Sequence, residues 1–321
     1  MGDIISSRAL HKAQRIKNDE FYTLYGEIDR ELIHYIEFLN GKSIYCNCDN
    51  PYKSQFTRWF LRYFHRLNLK KIVCTSYNPI GKGLFFSMDK SKIPDDCDFT
   101  EDVLDRLIDE NTSSLYGNGD FKSYECIKLI NQSDIVVTNP PFSKFRDFFQ
   151  ILVENNVSFI IMCPIFALTY NIVVDFLKED IIRLGWSRYQ YFSLPSGKKM
   201  QIRSIRWVTN LPITPHPEFI CLTKEYVSDN YPKYDNIEAI NVGNVADIPK
   251  DYDGIMGVPL TVFDFWNPKQ FKVVGYVHSL YIDGKNVFQR ILICHRSYAE
   301  RNSKLMAKQK NVTVTKKINI E

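Results

Sequence analysis

Four short apolar runs constrain the fold of this chain more than anything else in it. They are "KSIYC" from residue 42, "KKIVC" from 70, "DIVVT" from 134 and "SFIIMCP" from 158. Ile135-Val136-Val137 and Ile160-Ile161-Met162 are apolar without alternation. Strands of that kind have no polar face, so both sides must be covered. The intervening stretches 56–67, 122–130 and 144–156 have helical patterning. Strands and helices alternating at this short spacing give parallel strands joined by crossover helices. The expected class is α/β, with helices on both faces of the sheet. In such open sheets ligands bind at the carboxyl ends of the strands.

The remaining chain is placed around this sheet. Apolar residues Phe21, Leu24, Tyr25, Ile28, Leu32, Ile33 and Ile36 recur at helical spacing, and Gly41 suits a helix stop. Residues 81–109, with their Gly, Pro and Asp, read as a loop. After about residue 180 the sequence becomes basic and aromatic, and residues 251–293 read as loops and strands. We expect a sheet domain over 1–180, a smaller region over 181–297 with some strands returning to the sheet, and a polar, basic tail over 298–321. A chain of 321 residues with 45% hydrophobic content has enough apolar surface for such cores.

Composition narrows the function classes. The formal net charge of +4 neither demands nor excludes a nucleic-acid partner. Six of the eight cysteines lie in apolar or strand-like runs, which fits reduced thiols and a cytoplasmic protein. The pair Cys46 and Cys48 has no matching second pair, so no metal site is expected. No apolar run approaches the ~20 residues of a membrane span.

The third strand runs into Asn139-Pro140-Pro141-Phe142. A strand-to-helix turn alone would account for this tetrapeptide, because Asn before Pro is extended and Pro opens helices. At the carboxyl end of a buried strand it can do more. The Asn139 amide oxygen and the Pro140 carbonyl can both accept from one NH2 group, which makes its nitrogen more nucleophilic. The prolines hold these acceptors in place beforehand. Phe142 offers a ring on which a flat base can stack, provided the base is flipped out of its duplex.

The tetrapeptide matches the amino-methyltransferase signature [DNS]-P-P-[FYW]. Asn first and Phe last favour the N6 of adenine. Beyond the signature, "LHKAQRIKNDEFYTLY", "YCNCDNP", "GNGDFKSYECIKLINQSDIVVTNPPFS", "WVTNL", "YPKYDNIEAINV", "DYDGIMGVPLTVF" and "RILI" follow one another in a single order. On these blocks the chain resembles the EcoRI-type adenine-specific DNA methyltransferases over nearly its whole length.

The resemblance implies a Rossmann-like sheet domain that binds S-adenosyl-L-methionine, a C-terminal target-recognition region and double-stranded DNA as partner. A cognate restriction endonuclease acting on the same site is a further possible partner. By resemblance, Phe21, Tyr22 and Thr23 pack against the methionine end of the cofactor, although Phe21 also suits a helix core. The turn Cys46-Asn47-Cys48-Asp49-Asn50-Pro51 lacks the glycines usual in methyltransferases. Asn47, Cys48 and Asp49 are candidate cofactor contacts there, and Asn47 and Asp49 equally suit capping of the next helix. "CTSYN" at the end of the second strand has no acid for a ribose, so either Ser76 or Tyr77 substitutes or the acid comes from elsewhere in the chain. Asp120 is a candidate acceptor for the cofactor's adenine amine and Phe121 a candidate stacking ring, with a helix N-cap as the other reading of Asp120.

Lys198, Lys199, Arg203 and Arg206, interleaved with Tyr189, Tyr191, Phe192 and Trp207, suit DNA phosphates or guanine edges. An ordinary solvated face over core aromatics has the same spacing. The basic start, Arg8 to Lys17, is either a DNA-tracking arm or a tail. The expected function is site-specific adenine-N6 methylation of DNA, in restriction-modification. The alternatives are an RNA or protein-glutamine methyltransferase, or a catalytically inert DNA-binding module.

Overall fold

The structure, a computed structural model, describes residues 4–5, 22–94, 98–188, 190–193 and 199–301. The basic start, Phe21, Lys198 and the tail after 301 lie outside the described residues, as does the side chain of Tyr22. The chain divides into two compact units, one of residues 1–167 and 182–212, the other of 168–181 and 213–321.

The first unit is built on an eight-stranded sheet. Its strands in chain order are β1 (Ser43–Cys46), β2 (Lys71–Ser76), β3 (Leu84–Asp89), β4 (Thr112–Ser114), β5 (Ile135–Thr138), β6 (Ser158–Pro164), β7 (Arg183–Leu184) and β8 (Ile205–Thr209). In space they run β4-β3-β2-β1-β5-β6-β8-β7. The four apolar runs form the parallel centre, with β1 between β2 and β5, and β6 beyond β5. Every residue of β5 is buried, as expected of a strand covered on both faces. The order reverses at β1. The chain moves outward from β1 to β2, then crosses back to the other side of β1 as β5, so the carboxyl ends of β1 and β5 flank the topological switch point.

The helices of this unit are α1 (Tyr25–Leu32), α2 (Gln55–Arg62), α3 (Glu101–Glu110), α4 (Tyr124–Asn131) and α5 (Phe145–Glu154). Three begin with a hydroxyl cap. Ser54 accepts from Phe56 N–H at 3.1 Å, Thr100 from Val103 N–H at 3.4 Å and Ser123 from Cys126 N–H at 3.2 Å. The apolar stripes of α2 and α5 bury Phe56, Trp59 and Phe60 on the first and Phe145, Phe148 and Phe149 on the second. Burying such aromatic side chains stabilises the fold by roughly 1.5–3 kcal/mol each. Glu31 on α1 is buried, and its carboxylate accepts from Trp186 N–H (2.9 Å), Ser187 N–H (2.7 Å) and the Tyr35 hydroxyl (2.8 Å). These bonds pin the segment after β7 to α1.

Residues 81–109 are not the loop expected from sequence, because they hold β3 and α3. β3 pairs antiparallel with β2 over six residues, from Lys71↔Asp89 to Ser76↔Leu84. Only alternate residues of β3, Phe86 and Met88, are fully buried. A half-covered strand close to Gly and Pro carries a weak apolar signal. β8 is also part of the sheet, pairing antiparallel with β6.

The second unit has a four-stranded sheet of β9 (Ile240–Asn241), β10 (Met256–Pro259), β11 (Phe271–Tyr276) and β12 (Arg290–His295), in the order β9-β10-β12-β11. Helix α6 (Asn171–Lys178) packs on β11. Tyr234 crosses Gly257 so closely that a Cβ there would lie 2.3 Å from the Tyr234 hydroxyl oxygen. Much of the remaining backbone is irregular and is held by side chains. Gln270 binds both Ile220 N–H (2.7 Å) and Ile220 C=O (2.9 Å). Asn267 donates to Pro217 O at 2.9 Å and Glu218 O at 3.3 Å.

Candidate active site at the β1–β5 switch point

The site is built from the turns that follow β1, β2 and β5, together with the turn before α4. After β1 the chain turns sharply at Asn47 and Cys48, and Cys48 adopts φ +65°. That left-handed backbone is the conformation for which glycine is normally required. The missing glycine of the sequence is therefore replaced by a cysteine in the same conformation. Asn47 is fully buried; its Oδ1 accepts from the Thr75 hydroxyl at 3.4 Å, while its Nδ2 donor has no partner among the described residues. A buried amide donor without an acceptor is costly, roughly 1–3 kcal/mol, and marks a place where a ligand acceptor fits.

Asp49 lies two residues on and is held from three sides. Ser54 Oγ donates to its Oδ1 at 2.9 Å, and Thr138 Oγ1 donates to its Oδ2 at 2.7 Å. The backbone N–H of Asn139 also bonds its carboxyl, and its own N–H reaches Thr75 O at 2.9 Å. Part of the residue surface is exposed, but the carboxyl faces inward. Burial raises its pKa to about 7, against the pull of the three hydrogen bonds. The Cys46 and Cys48 thiols lie close enough that the Asp49 charge raises their pKa values further, beyond the larger effect of burial. The helix cap is Ser54, so Asp49 supports the cap and does not form it.

β5 ends at Thr138, which is fully buried, and Asn139 follows with its amide oxygen buried. Pro140 is buried, Pro141 is extended at φ −62° and ψ 119°, and a short 3-10 turn over Phe142–Lys144 leads into α5. The Asn-Pro-Pro-Phe element is thus both a strand-to-helix turn and a feature of the switch point. Phe142 is only 3% exposed, so its ring belongs to the interior and not to an open shelf.

The "GNGDF" segment is threaded against the end of β2. Asn78 N–H bonds Asn118 O at 2.8 Å. Gly119 has φ +78°, and a Cβ there would lie 2.1 Å from Ser76 O. This places Asp120 beside the carboxyl end of β2. Its Oδ1 accepts from Lys122 N–H at 2.9 Å, and the cap of α4 is Ser123. Phe121 is 4% exposed and meets Phe148 edge-on at 5.3 Å, which leaves little ring face open for stacking. Ser76 is buried with its hydroxyl accepting from Leu84 N–H at 3.3 Å, whereas Tyr77 is exposed. Thr23 is buried, and its hydroxyl donates to Met162 Sδ on β6 at 3.4 Å. The structure thus groups Asn47, Asp49, Thr138 and Asn139. The sequence reading missed Ser54 and Thr138, because a hydroxyl before a helix or at a strand end has many ordinary uses.

The proposed DNA contacts separate. Lys199 and Arg203 are exposed, at the start of a strand over Lys199–Ile202 and just after it. Arg206 is a correction, because it is 4% exposed on β8. Its guanidinium turns back to the carbonyls of Arg203 (2.6 Å) and Ile205 (2.9 Å). An arginine in a strand with all five residues buried cannot also reach solvent-borne phosphates. Phe192 and Trp207 are likewise core residues. Among the described residues there is no cluster of three or more His, Cys, Asp or Glu that could hold a metal ion. No described helix is long and apolar enough to cross a membrane.

Comparison with known proteins identifies the family of the chain. Residues 9–320 match the family described as adenine-specific methyltransferase EcoRI. The type II methyltransferase M.EcoRI of Escherichia coli is 36% identical over 315 residues, covering 90% of this chain and 96% of that protein. M.MgeORF184P of Mycoplasma genitalium and M.MpnI of Mycoplasma pneumoniae, also type II methyltransferases, are each 34% identical over 292 residues. Each alignment covers 84% of this chain, with 87% of the first protein and 86% of the second. With a match from end to end and the Asn-Pro-Pro-Phe turn at the switch point of a largely parallel sheet, the chain belongs to the EcoRI family of adenine-specific methyltransferases.

Proposed function

We propose that the protein is an S-adenosylmethionine-dependent DNA methyltransferase that modifies the N6 amine of one adenine in a short duplex site. The observation that carries this reading is the position of Asn139-Pro140-Pro141-Phe142, at the end of β5 beside the turn after β1. That three relatives are named type II methyltransferases supports duplex DNA as substrate and a restriction-modification role in the cytoplasm. A cognate endonuclease would act on the same site without contact with this chain.

The donor set fits the cofactor. The unpartnered Nδ2 of Asn47 suits its carboxylate, and Asp120, beside the end of β2, suits its adenine amine. Thr23, against Met162, would help close the methionine end. When bound, the cofactor supplies a methyl on a sulfonium centre. Asn139 Oδ1 and the Pro140 carbonyl accept from the two protons of the flipped adenine amine and free its lone pair from the ring. Asn139 and Pro140 would thereby hold the amine nitrogen ready to receive the electrophilic methyl, and one amine proton would pass to water. Phe142, fixed directly after the prolines, would form the apolar wall beside the base. Lys199 and Arg203 would meet phosphates.

The test is to incubate the protein with methyl-labelled S-adenosylmethionine and unmethylated genomic DNA, then digest to nucleosides. Labelled N6-methyladenine is expected. Label confined to RNA or protein fractions overturns the DNA reading. Absence of cofactor binding by calorimetry would leave the inert DNA-binding module.

A further inference from the structure

We propose that Asp49 and Thr138 are positioning residues that set the backbone at Asn139 and so aim its amide at the substrate amine. The inference rests on the function proposed above. Asp49 belongs to the turn after β1 and Thr138 to the last position of β5, yet Thr138 Oγ1 donates to Asp49 Oδ2 at 2.7 Å. The next residue's N–H, that of Asn139, bonds the same carboxyl. The turn after β1 therefore grips both the side chain and the amide that immediately precede the Asn139 side chain. Thr138 Oγ1 also lies against the Asn47 carbonyl, which places the hydroxyl between two groups of that turn.

The grip is itself anchored. Asp49 Oδ1 takes the Ser54 hydroxyl at 2.9 Å, and Ser54 at the same time caps α2 through Phe56 N–H at 3.1 Å. The Asp49 N–H reaches Thr75 O on β2 at 2.9 Å. One residue thus links β1, β2, β5 and the start of α2 through its carboxyl and its own N–H. On the far side of Asn139 the constraint is covalent. Pro140 has a fixed φ and holds the residue before it extended. With the backbone held on both sides, the direction in which the Asn139 side chain leaves the turn is set.

This use has Asp49 act through protein donors on both of its oxygens, Ser54 and Thr138, and not through the cofactor. It also explains why an acid with raised pKa is kept among buried thiols, where an apolar residue would pack at less cost. Displacing a reacting group by about 1 Å can cost on the order of 100-fold in rate.

Thr138→Val keeps the shape of the side chain and removes its hydroxyl, whereas Thr138→Ser keeps the hydroxyl. Each variant, with Thr138→Ala as a second hydroxyl-free form, is assayed for cofactor affinity by calorimetry and for kcat and KM on duplex DNA. We expect kcat to fall about 10- to 100-fold in the Val and Ala variants, with cofactor Kd within about twofold of wild type. Thr138→Ser should stay within about threefold in kcat. The positioning role is overturned if the loss appears in cofactor Kd with kcat unchanged, if Ser falls as far as Val, or if neither changes. Wild type that places no methyl on DNA would instead sink the proposed function, while active wild type with indifferent variants sinks only the positioning role.

Discussion

The two units use polar side chains for opposite ends. In the first, the backbone of the central strands is satisfied by the sheet ladder, so the polar side chains at the strand ends are available for a site. Asn47, Asp49, Thr138 and Asn139 cluster where β1 and β5 diverge. In the second, the irregular stretches lack a ladder, and polar side chains stand in for it. Gln270 acts as a strand neighbour for Ile220, and Asp235 accepts from Asp283 N–H (3.2 Å) and Gly284 N–H (2.9 Å). Buried or semi-buried backbone must be hydrogen-bonded somewhere. The irregular stretches of the second unit draw such side chains into backbone bonding, a use that Glu31 and Asn210 also have in the first unit where the ladder ends.

If that contrast holds, the same kind of substitution should have different consequences in the two units. Asn139→Ala should lower methyl transfer by about 100- to 1000-fold, the size of effect seen when one preorganised polar group is removed from an active site. Cofactor affinity and thermal midpoint should change little, and a rate near wild type would remove Asn139 from the mechanism. Gly119→Ala tests the first unit's geometry. The new Cβ meets the Ser76 carbonyl at a left-handed position, so a stability loss of about 2–3 kcal/mol is expected in denaturant titration. Weakened cofactor binding through the displaced Asp120 should accompany it.

A third test uses pH. Asp49 titrates near 7 in the folded protein and near 3.8 when unfolded. Between those values the folded state binds more protons, so this group makes stability fall as pH rises from about 4 to about 7. Asp49→Asn should flatten that portion of the stability profile, and an unchanged slope would show that the carboxyl is not buried as described. The smallest effect belongs to the second unit. Gln270→Ala should cost about 1–2 kcal/mol of stability by freeing two backbone groups, with cofactor affinity unaltered. A loss of cofactor affinity in that variant would break the contrast.

The legibility of each region in the sequence follows from the same physics. β1, β2, β5 and β6 were readable because strands buried on both faces carry unbroken apolar runs. The Asn-Pro-Pro-Phe turn was readable because few residue types suit it. β3 and α3 were not readable, since only alternate residues of that strand are fully buried. Arg206 misled because spacing carries no information on which way a strand residue points until its neighbours are known.

The sequence by itself determined the fold class, the Asn-Pro-Pro-Phe turn and the family, all of which depend on local pattern or on residue order along the chain. Only the tertiary structure decided that Asp49 reaches Thr138, 89 positions away, and that Phe121 and Arg206 face inward. It also decided that Cys48 takes the backbone conformation of the missing glycine. Each of these depends on which segments the sheet order brings together, and a hydrogen bond between distant strand ends leaves no periodicity behind it.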